Sequence, residues 1–314
     1  MNKILVTPRS LTTGGHPALV RLVAAGYQIV FSASGKQPTE DDLLALLPGC
    51  VGYLAGVEPV TGRVLEAATD LQVISRNGTG VDNIDLEVTR RRGITVCRAE
   101  GANAEGVAEL AMGLLLALAR SISASDRCMK GGAWQRHKGM ELRGKTLGVV
   151  GYGKIGRRVA EIAMGLGMEV IAHDVFAEMP FTVSDQLRFA SLGDVLSSAD
   201  AISLHCPPLA NGARLIDATA IEKMRHGALL VNTARYDLLD ADAVAAALDD
   251  GQLAGLAMDV YDREPPVNNP LVGHERVIAT PHVGGFTEES VDRAVSVAVD
   301  NLLHHLQPLA VAGS

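Results

Sequence analysis

Three side chains that can move a proton or hold an anion follow apolar runs in the last third of the chain: Arg235 after "ALLVNTA", Glu264 after "LAMDVYDR" and His282 after "VIATP". Together they suit the oxidation of an alcohol that stands beside a carboxylate. A guanidinium stays charged and donates through a rigid fork, so Arg235 can hold a substrate carboxylate and polarise the adjacent carbonyl. An imidazole, with an ordinary pKa of about 6.5, can take the hydroxyl proton as hydride departs and return it in the reverse direction. A carboxylate beside it, Glu264, would favour the imidazolium and orient the ring. Each residue also has a structural alternative: a surface cation at a strand end, a carboxylate capping the turn before Pro265-Pro266, and a satisfied core histidine. Three strand-end positions on one sheet favour the joint catalytic reading.

Convergence of residues so far apart needs a scaffold that gathers strand ends, and doubly wound sheets bind ligands beyond the carboxyl ends of their strands. The runs "TLGVV", "EVIAHD", "AISLHC", "ALLVN", "LAGLAMDV" and "RVIAT" alternate with helical spacers, which predicts a six-stranded dinucleotide-binding unit. An earlier series, "KILVTP", "YQIVFS", "GYLAG", "VISRNG" and "ITVCRA", predicts a second parallel sheet. Between them, "AEGVAELAMGLLLALAR" is rich in Ala and Leu and predicts a helix from about Asn103 to Arg120. Apolar residues at Val291, Ala294, Val295, Ala298, Val299 and Leu302 follow an i, i+3, i+4 pattern, so a terminal amphipathic helix is expected. A complete six-stranded unit has no place for it, and it is expected to return to the first domain. The fold class is α/β, with two doubly wound parallel-sheet domains: residues 1–100 plus 286–314, discontinuous, and 101–285.

The stretch "LGVVGYGKIGRRVA" places Gly151, Gly153 and Gly156 as GxGxxG after an apolar strand and at the start of a helix. Glycines there permit a tight turn and close approach of backbone to a pyrophosphate, and the helix start offers unpaired N–H groups to the anion. Asp174 stands eighteen residues beyond Gly156, at the end of "EVIAHD". A carboxylate at that distance accepts hydrogen bonds from a ribose and repels a 2′-phosphate, while Val175 and Phe176 supply no arginine. The expected cofactor is therefore NAD. The alternative is a glycine-rich turn with an unrelated surface aspartate.

Bulk properties bound the remaining classes. The 314 residues exceed one typical domain, and a net charge of −8 carries no basic footprint for nucleic acid. Forty-seven per cent apolar residues supply material for sizeable cores. Cys50, Cys97, Cys128 and Cys206 show no CxxC spacing, which points away from disulfides and zinc and toward a reducing cytoplasm. "MNKILVTP" reads as a strand rather than a signal peptide, and the most apolar helix is too short for a membrane span, so no membrane association is expected. His304 and His305 are adjacent on the last helix and point about 100° apart, a poor chelating pair; no metal is expected.

"GYGKIG", Asp174, "NTAR", "DVYDREPP" and "TPHVGG", in that order, resemble the D-isomer-specific 2-hydroxyacid dehydrogenases, in particular the phosphoglycerate-dehydrogenase-like branch. "RNGTGVDNIDL", "GVAEL" and "LRGKTLGVVGYG" extend the resemblance over nearly the whole chain. It implies a flavodoxin-like substrate domain and a Rossmann NAD-binding domain, a 2-hydroxy or 2-oxo acid as the small-molecule partner, and a homodimer. It implies catalytic roles for Arg235, Glu264 and His282. Asn77, Gly78, Thr79 and Gly80 would form a substrate-facing loop whose successive N–H groups point at an anion, together with Arg235. Cofactor contacts would come from Gly151, Tyr152, Gly153, Lys154, Ile155, Gly156, Asp174, His205, Pro207, Thr233, Ala234, Asp259 and Gly284. Asp259 would sit by the nicotinamide; alternatively it only binds backbone. Trp134 and Arg136 lie where relatives reach toward the neighbouring subunit, or Trp134 simply packs at the interface.

Departures from that branch narrow the substrate. Phosphoglycerate dehydrogenases usually carry an Arg-Ser pair after the third strand of the small domain, whereas this chain reads "YLAGVEPVT", with Gly56 and Glu58. That weighs against 3-phosphoglycerate. Tyr236 and Asp237 follow Arg235 where a glycine is usual; they either narrow the pocket or turn away from it. The chain ends without an appended regulatory domain, so feedback control through one is not expected. Formate dehydrogenases pair the histidine with glutamine, which Glu264 argues against. The C-terminal-binding corepressors use the same fold as NAD-sensitive interaction proteins, and stand as the alternative from another class.

Overall fold

The computed structural model describes residues 2–176 and 181–306. The chain divides into two compact units, one of residues up to Asn103 together with those from Glu288 onward, the other Ala104–Thr287. Residues 1 and 307–314, assigned above to the first domain, and 177–180, assigned to the second, lie outside the described residues.

In the first unit, β1 (Lys3–Val6), β2 (Gln28–Phe31), β3 (Cys50–Ala55), β4 (Val73–Arg76) and β5 (Thr95–Arg98) form a parallel sheet in the order β2-β1-β3-β4-β5. This is the flavodoxin-like winding. Central β3 is buried at all six positions, because helices cover both faces of the sheet, and so "CVGYLA" is an unbroken apolar run rather than an alternating one. One face packs on Leu43, Val64, Leu65 and Val88. The other packs on Leu11, Leu19 and Leu22 and on Val295, Ala298, Val299 and Leu302 of the helix Glu288–His305. Those four positions make one stripe, and burial of each Val or Leu stabilises the docked helix by roughly 1.5–3 kcal/mol. A charge at Val299 would undo that docking.

Among the described residues the second unit holds eight strands, not six: β6 (Thr146–Val150), β7 (Glu169–His173), β8 (Phe181–Ser184), β9 (Leu187–Phe189), β10 (Ala201–Leu204), β11 (Ala228–Asn232), β12 (Leu253–Met258) and β13 (Val277–Ala279). Their order is β13-β12-β11-β10-β6-β7-β9-β8. In it β9, pairing parallel to β7, takes the third-strand place of a dinucleotide-binding sheet, and β13 is an addition beyond the sixth strand. The sheet is also not wholly parallel, since β8 runs antiparallel to β9 at the edge. Both strands escape a periodicity reading because they are too short to display one. What holds β9 is tertiary: Leu187 and Phe189 are buried in the core against Val170 and Ala172.

The helix Ala104–Ala119 lays Val107, Ala108, Ala111, Met112, Leu114 and Leu115 into the same unit. It is followed by a helix, Ile122–Lys130, with no buried residue; its Ile122 and Met129 are exposed. Among the described residues no single helix is long and apolar enough to cross a membrane.

Candidate active site

The register of the large sheet aligns six carboxyl ends. His173 pairs with Val150, Val150 with Leu204, Leu204 with Asn232, Asn232 with Met258, and Met258 with Ala279. The residues one step beyond therefore form a row: Asp174, Gly151, His205, Thr233, Asp259 and Thr280. Parallel strands lie about 4.8 Å apart, so residues far apart in the chain become neighbours.

At the first end of the row, the glycines meet three separate demands. A Cβ on Gly151, whose φ is +94°, would lie 2.6 Å from the backbone of His205 and Cys206, and one on Gly156 would lie 2.0 Å from the Gly151 carbonyl oxygen. Gly153 faces open space instead, which leaves its backbone approachable. It caps the helix Lys154–Gly165 and, being glycine, sets no side chain against the helix start, the kind of end that favours an anion. The Asp174 carboxylate accepts from Tyr152 N at 2.7 Å and Phe176 N at 2.9 Å, one bond to each oxygen, which ties it to the glycine loop. Each oxygen retains a lone pair for a ribose hydroxyl. Replacing Asp174 by alanine is expected to lower the NADH over NADPH preference in kcat/KM by at least about tenfold, because the 2′-phosphate is no longer repelled. An undiminished preference would remove its ribose role.

His205 stands in the middle of the row. Its Nε2 is 2.8 Å from Ser203 Oγ, while Nδ1 is buried without a hydrogen-bond partner. Desolvation pushes this ring down to about 3, so it is neutral at any ordinary pH and unsuited to proton exchange with substrate. Beside it the Thr233 hydroxyl is also buried with no partner. Two unmatched polar atoms on adjacent strand ends are what a cofactor-lining wall would offer to a bound nucleotide.

The reactive end is built around a turn. His282 has φ +53°, a left-handed conformation that costs a non-glycine residue roughly 1–2 kcal/mol. Buried Asp259 offsets this: one carboxylate oxygen accepts from Thr280 Oγ1 at 2.6 Å and Val283 N at 2.9 Å, the other from Gly284 N at 2.8 Å. Hydrogen bonds to a charged acceptor stabilise by about 1.5–3 kcal/mol each, so the three together exceed the strain. The Tyr261 hydroxyl donates to the Thr280 carbonyl at 2.6 Å, and His282 N donates to that same carbonyl at 2.9 Å. Burial, with Asp259 and Glu264 nearby, pushes the Tyr261 phenol up to about 12, so it remains a donor. Asp259, expected beside the nicotinamide, spends its carboxylate on the histidine turn.

Held this way, His282 presents Nδ1 to both oxygens of Glu264, at 2.7 and 2.8 Å. The side chains are 51% and 42% exposed, so the pair adds little stability, but it fixes the proton on Nδ1 and leaves Nε2 for other chemistry. Arg235 follows β11 with its backbone anchored by Asn232, whose side-chain amide donates to the Arg235 carbonyl at 2.8 Å and accepts from Ala234 N at 3.1 Å. Asn232, Tyr261 and Thr280 were not singled out from the sequence. All three lie within or beside the quoted motifs, yet their task of holding backbone is visible only with coordinates. The two departures after Arg235 turn away: Tyr236 packs on the apolar core of the sheet, and Asp237 takes a 2.6 Å ion pair with Arg214.

The loop Asn77–Gly80 belongs to the first unit. Its first two amides are used internally, Asn77 N on the Ala55 carbonyl and Gly78 N on the Arg76 carbonyl, each at 2.9 Å. Of the four residues expected to face substrate, Asn77 and Gly78 therefore spend their amides on backbone carbonyls of the same unit. The exposed side chain of Trp134, at 83%, lies past the second helix of the large unit.

A sheet in dinucleotide-binding order, a glycine turn shaped for pyrophosphate and a carboxylate-bound histidine at the same edge define a nucleotide-dependent α/β protein. The chain belongs to the D-isomer specific 2-hydroxyacid dehydrogenase family, matching its NAD binding domain over residues 112–284. It is 39% identical over 258 residues to D-3-phosphoglycerate dehydrogenase of Pongo abelii, covering 81% of this chain and 48% of the relative. The chain thus spans about half the length of the phosphoglycerate dehydrogenases it matches. Hydroxypyruvate reductase of Thermotoga maritima is 36% identical over 276 residues, covering 85% and 88%. A crystal structure of a Thermus thermophilus protein superposes with a TM-score of 0.84 at 35% identity over 96% of each chain.

Proposed function

We propose that the protein interconverts a D-2-hydroxy acid and its 2-oxo acid, with NAD as the redox partner. The observation that carries this reading is the His282–Glu264 pair held on a strained turn at the edge of an NAD-binding sheet. NAD, when bound, supplies hydride acceptance in one direction and, reduced, hydride donation in the other. The glycine turn, Asp174, His205 and Thr233 are the residues that would hold it, joined by Tyr152, Lys154, Ile155, Pro207 and Ala234 around the same strand ends. His282 Nε2 takes the proton lost by the substrate hydroxyl as the C2–O bond becomes a carbonyl, and returns it when the carbonyl is reduced. Glu264 holds the ring and balances the imidazolium formed. Arg235 binds the substrate carboxylate and draws charge toward the carbonyl oxygen. A homodimer built through the helix Ala104–Ala119, with Trp134 and Arg136 facing the second copy, and a cytoplasmic setting complete the reading.

The test is NADH oxidation by the purified protein against glyoxylate, hydroxypyruvate, pyruvate, phosphohydroxypyruvate and branched-chain 2-oxo acids. Turnover of at least one above about 10⁴ M⁻¹s⁻¹ is the expected result. Silence toward all of them, with NADH still bound, would favour a corepressor-like binding role.

A further inference from the structure

Glu264 and His282 meet across the ends of two paired strands, each carried by a short irregular segment: residues 259–264 after β12 and residues 280–284 after β13. Their own bond cannot hold those segments in place. The two side chains are 51% and 42% exposed, and an ion pair open to water contributes little and tolerates many geometries. Buried contacts must set the distance across which the pair meets.

Asp259 supplies one tie, to the Thr280 hydroxyl and to the amides of Val283 and Gly284. These bonds bracket His282 but do not reach the Thr280 carbonyl, the peptide group that leads into Pro281 and His282. Tyr261 does. It stands two residues beyond Asp259 and three before Glu264, with its ring packed against the apolar core of the sheet, so its hydroxyl has a fixed origin. That hydroxyl donates to the Thr280 carbonyl at 2.6 Å, and His282 N donates to the same oxygen at 2.9 Å. The second bond closes a three-residue turn centred on Pro281, with His282 left-handed at its end. One bond within so small a ring leaves the carbonyl free to tilt, whereas a second, from a group anchored on the other segment, fixes its plane.

We infer that Tyr261 is a positioning residue for proton transfer: through the Thr280 carbonyl its hydroxyl ties the segment carrying Glu264 to the turn carrying His282, and so keeps Nδ1 in reach of both carboxylate oxygens. This rests on the oxidoreductase reading above and adds to it a residue that acts through His282. Without the phenol both partners of the pair remain, but the imidazole is aligned for less of the time, and an imidazolium formed out of reach of Glu264 is less stabilised. The loss falls on kcat, because alignment matters as the proton moves, and spares substrate binding, which is the task of Arg235.

The experiment measures kcat and KM with saturating NADH, for glyoxylate or whichever 2-oxo acid named above is reduced fastest, in the wild type, Tyr261→Phe, Glu264→Gln and the double variant. Phenylalanine keeps the ring and its packing and removes only the donor. Tyr261→Phe is expected to lower kcat about tenfold while KM for the 2-oxo acid stays within about twofold. In the Glu264→Gln background the same change is expected to lower kcat by less than about threefold, because the pair it aligns is already gone. A merely structural role would give equal losses in both backgrounds, and that result overturns the inference, as does a loss below about threefold in Tyr261→Phe alone. If Tyr261→Phe fails to fold, Tyr261→4-aminophenylalanine restores an N–H donor at the same end of the ring: kcat within about threefold of wild type is expected, and a loss of about tenfold overturns the inference. A wild type inert toward every 2-oxo acid overturns the oxidoreductase reading itself and this inference with it.

Discussion

Replacing His282 by asparagine is expected to lower kcat about 10³-fold while NADH affinity stays within about twofold. Asparagine is the informative choice because the site has φ +53°, a conformation asparagine tolerates and alanine does not. The turn depends on Asp259, Tyr261 and the Thr280 carbonyl rather than on the imidazole, so the variant should keep its fold. The loss is then attributable to proton transfer. Its size follows from the 10²–10⁴-fold range that positioned general acids and bases supply. Rapid-mixing kinetics with saturating NADH would read it, and a variant retaining more than about a tenth of wild-type turnover would show that His282 is not the acid/base. His205 offers no substitute, since its ring stays neutral down to about pH 3.

Arg235→Lys is expected to lower kcat/KM for 2-oxo acids by about 10²–10³-fold, through both a higher KM and a lower kcat. Lysine keeps the charge but loses the two-pronged geometry, and a charge-assisted bond to a carboxylate is worth about 1.5–3 kcal/mol, or about one to two decades for each bond lost. Both parameters move because the fork holds the carboxylate in the ground state and polarises the carbonyl in the transition state. The backbone at 235 is held by Asn232, so the effect should not pass through unfolding. An unchanged KM would remove the carboxylate role.

These two outcomes separate chemistry from binding. Glu58, buried just beyond β3, is held by donors of its own unit. Three of them converge on one oxygen and leave the other turned toward a glycine.

Much of this was legible from residues alone, because it depends on local physics. Glycine at three set spacings, an acid at the end of the next strand, and apolar runs long enough to be buried strands need no knowledge of distant parts of the chain. The amphipathic stripe of the last helix was readable for the same reason, since a period of 3.6 residues is a property of one segment. What remained hidden depends on registration between segments. Nothing local distinguishes β8 and β9 from loop, because each is held by a neighbour rather than by its own pattern. Nor does "LAGVEP" disclose that Glu58 turns inward, while "RYDLL" leaves open whether Tyr236 and Asp237 face the catalytic arginine or, as found, the core and Arg214. The sequence by itself determined which residues stand at strand ends. Tertiary structure decided which of those ends are level with one another and where each side chain points, because both are set by hydrogen bonds and packing between residues distant in the chain.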